Sequence, residues 1–560
     1  MTRWFACSLV ALMSGAAFAQ PAETTPRFEA ADIHGSPRST IPVTKGPFYS
    51  GGRYELRFAT MADLIHTAYG IDTERVFGGP SWLEMDRFDV IAKTPARSTA
   101  ESRKLMLQSL LADRFGLVVH NDNKPVTAWR LTAVKPKLQE GDGSGETGCN
   151  FKVESSQAPA GPPEKERVIA LPVLSYTCRN TSMSSFAGLM TAIPGAGQYF
   201  DNKPVVDQTG LAGVWDFTVS YTPRIPPGIA TTGESKPLPD AVEKQLGLKL
   251  ELAKTPVPVL VVDSVQEKPT PNPPDMAKIF PPPPTEFDVA EIKPSAAAQG
   301  GGRGGPQPEI KNGRLILPGI TLKNLVMLAW DLNSDEALIG APKWLDSDRF
   351  DVIAKAPEGV AIGDLTAQTA RSISINIDAL RPMLRSLLVD RFKMVVHTEE
   401  RPMPRYTLVA MKPKLQKADP AARTKWTEGP GEDSKDPRKA NPVLGRLVTC
   451  QNVTMAQFAE LLPGIAPGYI RNEVIDATGL QGGWDFTLSF SPAGAGQVGG
   501  GRGGDGPPPG PGGANEASDP SGALSLLDAL PKQLGLKLEM QKRPTPVVVI
   551  DHVDQKPTDN

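Results

Sequence analysis

Two short stretches set an imidazole beside a carboxylate: His120-x-Asp122 and His397-x-Glu399. Residues two apart on a strand share a face, so each pair would approach one metal ion from one side. Two ligands do not close a metal site, and the competing reading is a solvated start to a hairpin. A second constellation is Asp86, Arg87 and Asp89, repeated as Asp348, Arg349 and Asp351. Paired carboxylates can divide acid and base roles when their surroundings differ. Asp-Arg ahead of a strand is also what a turn held by an ion pair needs, and that structural reading is preferred because ion-pair networks mimic sites. Asp113-Arg114 and Asp390-Arg391 close an amphipathic helix and read as local pairs. Trp82, Trp344, Trp215 and Trp484 would line a groove or anchor a core, and aromatics more often anchor.

Other chemistry is poorly represented. Gly300-Gly301-Gly302-Arg303-Gly304-Gly305 satisfies G-x-G-x-x-G in form. It lies in low-complexity sequence, not between a strand and a helix, so it is not a phosphate loop. The sequence has no G-x-x-x-x-G-K-[ST], H-E-x-x-H, G-x-S-x-G or C-x-x-C. Asn180-Thr181-Ser182 and Asn452-Val453-Thr454 match the glycosylation sequon, but each directly precedes a helical pattern, where capping explains it better. Asp207-Gln208-Thr209-Gly210 and Asp476-Ala477-Thr478-Gly479 read as turns. No catalytic residue, metal or cofactor is assigned.

The elements that carry these residues occur twice. The string DRFDVIAK at 86–93 recurs at 348–355, LL-x-DRF at 110–115 recurs at 387–392, and KPKLQ at 135–139 recurs at 412–416. TGL and WDF at 209–217 recur at 478–486, and QLGLKLE at 245–251 recurs at 533–539. Preserved order makes this a tandem duplication, with copy one at 20–270, a Pro-rich spacer at 271–284, and copy two at 285–560. The spacer should be extended and semi-rigid. Insertions near 296–305 and at 494–522 are too rich in Gly and Pro to bury a core, and are expected to be disordered. Each copy reads as four helices interleaved with strands. Thr60 and Thr321, Ser182 and Thr454 are N-cap candidates, and Gly247 and Gly535 suit helix C-termini. The runs at 115–119 and 246–250 each precede a proline-containing turn and a second apolar run. That is helix–strand–strand, used twice per copy. The expected fold is α+β: two tandem homologous domains with helices packed on small mixed sheets.

Composition narrows the class. Lys and Arg number 60 against 62 Asp and Glu, without the basic excess of a nucleic-acid binder. Gly 53 and Pro 56 make nearly a fifth of 560 residues, against about 12% on average. Residues 1–19 combine Arg3, an apolar run and Ala17-Phe18-Ala19, the pattern of a cleaved signal peptide. No later stretch reaches the roughly 20 apolar residues of a membrane span, so the mature chain is expected to be exported, periplasmic or extracellular, with no membrane span. Export permits disulfides. A bridge between Cys149 and Cys178 would staple the Gly/Pro-rich loop between them and leave Cys450 over; the alternative is three buried thiols.

F-D-V-A-x-I-K-P-S at 287–295, G-x-P-x-W-L-x-x-D-R-F-D-V-x-A-K, L-L-x-D-R-F-x-x-x-x-H, D-x-T-G-L-x-G-x-W-D-F and Q-L-G-L-K-L-E with a terminal V-I-D-H stand in this chain. Together they resemble the soil-associated bacterial protein family, a domain of unknown function abundant in acidobacteria. The resemblance spans nearly the whole chain twice. Copy one departs from it at Ala30, His34 and Ser264. It implies an envelope or secreted location and supplies no catalytic residues. The leading expectation is a non-catalytic envelope module that binds a protein, peptide or polymer, and no nucleic acid. The alternatives are a secreted hydrolase or metal-dependent enzyme using His120 and His397, and a sensory ectodomain served by a separately encoded membrane partner.

Overall fold

The computed structural model describes residues 25–37, 43–154, 169–191, 193, 197–200, 203–223, 231–232, 234–295, 308–363, 375–431, 436–441, 443–493 and 523–558. The segment 1–19, expected to be a signal peptide, and the insertions near 296–305 and at 494–522 lie outside the described residues. The architecture is α+β in two repeated halves; among the described residues each half holds two large hydrophobic cores, and copy one has a further small cluster of Ala128, Val257 and Val259.

In copy one, the first lobe is an antiparallel sheet in the order Ala30–Gly35, Arg87–Lys93, Arg53–Thr60, Lys45–Ser50. Helices Met61–Tyr69 and Ala100–Phe115 supply Leu64, Ile65, Leu107, Leu111 and Phe115 to its core. Thr60 begins the first of these with a reciprocal cap to Asp63, which satisfies amides that the helix leaves open. The second lobe is a sheet in the order Gln139–Glu140, Trp215–Tyr221, Val173–Thr181, Gly148–Glu154. It is covered by helix Met183–Met190, capped by Ser182, and by Leu238–Ala241 running into a π-helical turn at Val242–Leu246. Gly247 ends that turn at φ 67°, and a Cβ there would lie 1.7 Å from the Lys135 carbonyl oxygen. Only glycine fits both the left-handed backbone and that approach.

Strands Val118–Ala133 and Leu248–Ser264 join the lobes. They pair antiparallel along their whole length, flanked by the short parallel strands Val205–Asp207 and Val76–Gly78. One end, with Leu260 and Val262, belongs to the first core; the other, with Leu131 and Leu248, belongs to the second. The apolar runs either side of the prolines are therefore one strand each, not two strands about a turn. Pro125 faces Pro256, as Pro402 faces Pro544 in copy two. Two facing residues without N–H groups suit a non-hydrogen-bonded pair, where the nitrogens point outward. The short flanking strands do not extend that far.

Copy two repeats the plan. Its sheets run Val289–Pro294, Arg349–Lys355, Arg314–Thr321, Glu309–Lys311; then Leu338–Ile339, Leu536–His552, Val395–Ala410, Ile475–Asp476; then Gln416–Lys417, Trp484–Phe490, Arg446–Val453, Lys425–Glu428. Helices Leu322–Trp330, Ile377–Phe392 and Met455–Ile465 match those of copy one. Cys149 and Cys178 stand opposite each other on neighbouring strands and are joined by a disulfide. In copy two, Cys450 faces Trp426 instead. Burial pushes the Cys450 thiol up to about 12, which keeps it unreactive.

The Pro-rich spacer is not simply extended. It contains a helical turn at Met276–Ile279 and is fixed to copy one at Asn272. The Asn272 side chain accepts from the Ile33 amide at 3.0 Å and donates to the Ile33 carbonyl at 3.0 Å. It thereby satisfies both groups that an edge-strand residue leaves open. The copies also touch directly. Glu84 meets Arg423 at 2.7 Å, Glu74 meets Lys425 at 2.7 Å, and the Thr424 amide donates to the Ser81 carbonyl at 3.1 Å. Lys45 pairs with Asp378 at 2.8 Å, and Met85 packs against the second core of copy two.

Candidate functional site: a cleft where the two copies meet

In strand Arg53–Thr60 the register slips between Leu56 and Ala59, and Phe58 takes a left-handed φ of 53°. Such a backbone in a bulky residue stores of order 1–3 kcal/mol. The D-R-F-D motif holds it there. The Phe58 amide donates to Asp89 Oδ1 at 2.9 Å, and Arg87 donates to the Phe58 carbonyl at 2.5 Å. Ser36 donates to the same Asp89 oxygen at 2.6 Å. Copy two repeats the grip on Gly319, at φ 60°: its amide donates to Asp351 at 2.8 Å and its carbonyl accepts from Arg349 at 2.8 Å. Arg87, Asp89, Arg349 and Asp351 therefore secure a β-bulge.

Asp86 is left facing a cleft of about 370 Å³, whose lining includes Ser36, Phe58, Arg87, Glu267 and, from copy two, Glu460. Burial, then the charge and hydrogen bonding of Glu267, raise the Asp86 carboxyl above its usual range. Burial lowers Arg87, opposed by the charges of Asp63 and Glu460. In copy two the residue matching Glu267 is Gln555, whose Nε2 donates to Asp348 Oδ2 at 2.8 Å. Copy one thus sets two acids against each other where copy two sets an amide against an acid. A carboxylate beside another acid disfavours the charged form, so the cleft wall of copy one carries an acid held toward its neutral form at Asp86. The sequence signal for Glu267 was the repeated K-P-T that follows it, at 268–270 and 556–558.

The histidine sites are arranged differently from the expectation. His120 Nδ1 lies 2.8 Å from Asp263 Oδ2, and His397 Nδ1 lies 2.8 Å from Asp551 Oδ2, with both imidazoles about half exposed. Each partner comes from the opposite strand of the long hairpin. Asp122 instead accepts from the Asn123 amide at 2.7 Å, and Glu399 pairs with Arg401. Among the described residues no three His, Cys, Asp or Glu side chains are grouped to hold a metal ion. Asp263 and Asp551 were legible only as a repeated V-x-D at equivalent chain positions.

Other candidates are absorbed by the fold. Trp82 packs edge-on to Phe88 at 6.3 Å between centroids and is half-buried, as is Trp344, whereas the adjoining Leu83 and Leu345 are completely buried. Trp215 and Trp484 lie against the second cores. Asn180 and Asn452 are buried, and each donates at 2.6 Å to a loop carbonyl, of Ser144 and Ala422 respectively. Ser182 and Thr454 cap the following helices.

The chain belongs to the family described as Protein of unknown function (DUF3738), whose model matches it in two segments, 62–265 and 323–553. These are the two tandem copies. No curated protein and no solved structure matches the chain. No described helix is long and apolar enough to cross a membrane.

Proposed function

We propose that the chain is an exported, non-catalytic binding module of the bacterial envelope, with 20–270 and 285–560 as its folding units and a protein, peptide or polymer as its partner. The signal-like residues 1–19 support export, and the resemblance drawn from the sequence supports a soil-bacterial setting. The observation that carries the reading is the differentiation of the Asp86 cleft. The repeated Arg and Asp residues of the motif serve the bulge in both copies. Copy one alone adds the Asp86–Glu267 acid pair, in a cleft that Glu460 of copy two helps to line. A recognition surface built from few convergent polar groups on a rigid frame has this character. The test is capture from envelope extract by the full chain and by Glu267→Gln. Capture lost in the variant supports the reading; identical capture by both removes the cleft from it.

The hydrolase reading draws on the His120–Asp263 and His397–Asp551 pairs, because a carboxylate that orients an imidazole is one half of a nucleophile-activating array. Turnover abolished by His120→Ala with His397→Ala would establish it. A sensory role rests on a membrane partner encoded nearby.

A further inference from the structure

The contact between the copies is head-to-tail. Copy one offers Glu74, Ser81 and Glu84; copy two answers with Arg423, Thr424 and Lys425. These are not equivalent positions in the repeat, so the interface is heterologous, and a heterologous interface propagates unless something stops it. Each chain would then carry an unused acceptor on copy two and an unused donor on copy one. The repeat alignment identifies both. Glu74 and Glu84 correspond to Glu336 and Asp346, which are acidic and exposed. Arg423, Thr424 and Lys425 correspond to Glu146, Thr147 and Gly148.

We propose that the chain is a closed two-unit array in which charge blocks both free ends against a second copy of itself. At the donor end, Glu146 stands where Arg423 stands in copy two, so docking would set it against Asp346. At the acceptor end, Lys323 replaces Ala62 and occupies the acidic notch from within, 2.6 Å from Asp335 and 2.8 Å from Asp346. A contact beside the Lys45–Asp378 pair fails to repeat as well. Glu55, which meets Asn376 at 3.5 Å, corresponds to Ile316, and Asn376 corresponds to Thr99. Like charges placed opposite one another suppress wrong partners, and repeat arrays end on units whose outer face is altered.

The test uses the full chain in sedimentation velocity. Wild type should run as a single species at all concentrations. Glu146→Arg and Lys323→Ala each open one end, so either variant alone should stay monomeric while the mixture shifts to a one-to-one complex. High salt, near 1 M, where the screening length is about 3 Å, should dissolve that complex. Lys323→Gln provides a second opened acceptor, and unfolding midpoints close to wild type show that the variants are folded. Folded variants that do not associate when mixed would overturn the proposal, as would a wild-type chain that assembles with itself.

Discussion

Gln555 donates its side-chain amide to Asp348 at 2.8 Å, and at the matching place in copy one Glu267 turns a second carboxyl on Asp86. Glu267→Gln should therefore install in copy one the bond that copy two already has. The folded state holds the Asp86 proton more tightly than the unfolded chain does. The stability it contributes is complete below the unfolded value and is lost as pH rises through the folded one. The wild-type urea midpoint should accordingly fall on going from mild acid to neutral pH. In Glu267→Gln that fall should shrink, with a higher midpoint at neutral pH. An unchanged pH profile would show that the two carboxyls do not interact.

Glu84 and Arg423 form a largely buried ion pair between the copies, with side chains 17% and 18% exposed. Their charged atoms approach to 2.7 Å, yet neither Arg423 Nη2 nor Glu84 Oε1 makes an aligned hydrogen bond. Burial raises Glu84 despite Arg423 and Lys425 beside it. Arg423→Ala strands a buried carboxylate and should destabilise the junction by about 3–5 kcal/mol near neutral pH. Glu84→Gln should destabilise much less. The loss in Arg423→Ala should ease on acidification, because protonation removes the stranded charge. Calorimetry of the full chain would show whether the two losses differ in this order.

The Cys149–Cys178 bridge closes a chain segment with a sequence separation of 29. Loop-closure entropy for a segment of this length amounts to roughly 3–4 kcal/mol. Replacing both cysteines by serine should lower the stability of copy one by about that amount. Copy two, where Trp426 faces Cys450, should be unaffected. A reducing agent should reproduce the double substitution in the wild type and do nothing further to the variant.

In the W-L pair, the leucine is the deeper anchor. Leu345 is completely buried while Trp344 is only partly so. Leu345→Ala should destabilise by about 2–5 kcal/mol, and Trp344→Ala by less than the roughly 3–5 kcal/mol expected of a fully buried aromatic. Urea unfolding of the two variants side by side checks this. A tryptophan variant at least as unstable as the leucine one would restore Trp344 as the principal anchor.

Much of this fold was legible in the sequence because it is written twice. Helix starts at Thr60, Ser182, Thr321 and Thr454 follow from local capping chemistry, and Gly247 and Gly535 mark the ends they occupy. The candidate site was legible only in part. Asp86 and Arg87 are adjacent in the chain, but Glu267 lies some 180 residues away, and strand order alone brings it back. His120 was matched with Asp122 because spacing along one strand is visible in a sequence. Its partner Asp263 reaches it across a hairpin, and cross-strand register is not visible there. The facing prolines misled for a related reason: a lone strand containing Pro reads as a turn, and only the paired strand shows that no ladder bond is lost.

The long hairpin gives each copy a nested connectivity. Val118 pairs with Ser264, and the whole second lobe lies in the chain between the two strands. As the chain emerges from its N-terminus, the first lobe lacks Leu260 and Val262 until the second lobe has been delivered. Closing loops of this length is entropically slow. The first lobe is therefore the last part of each copy to be completed, although it is the first part made.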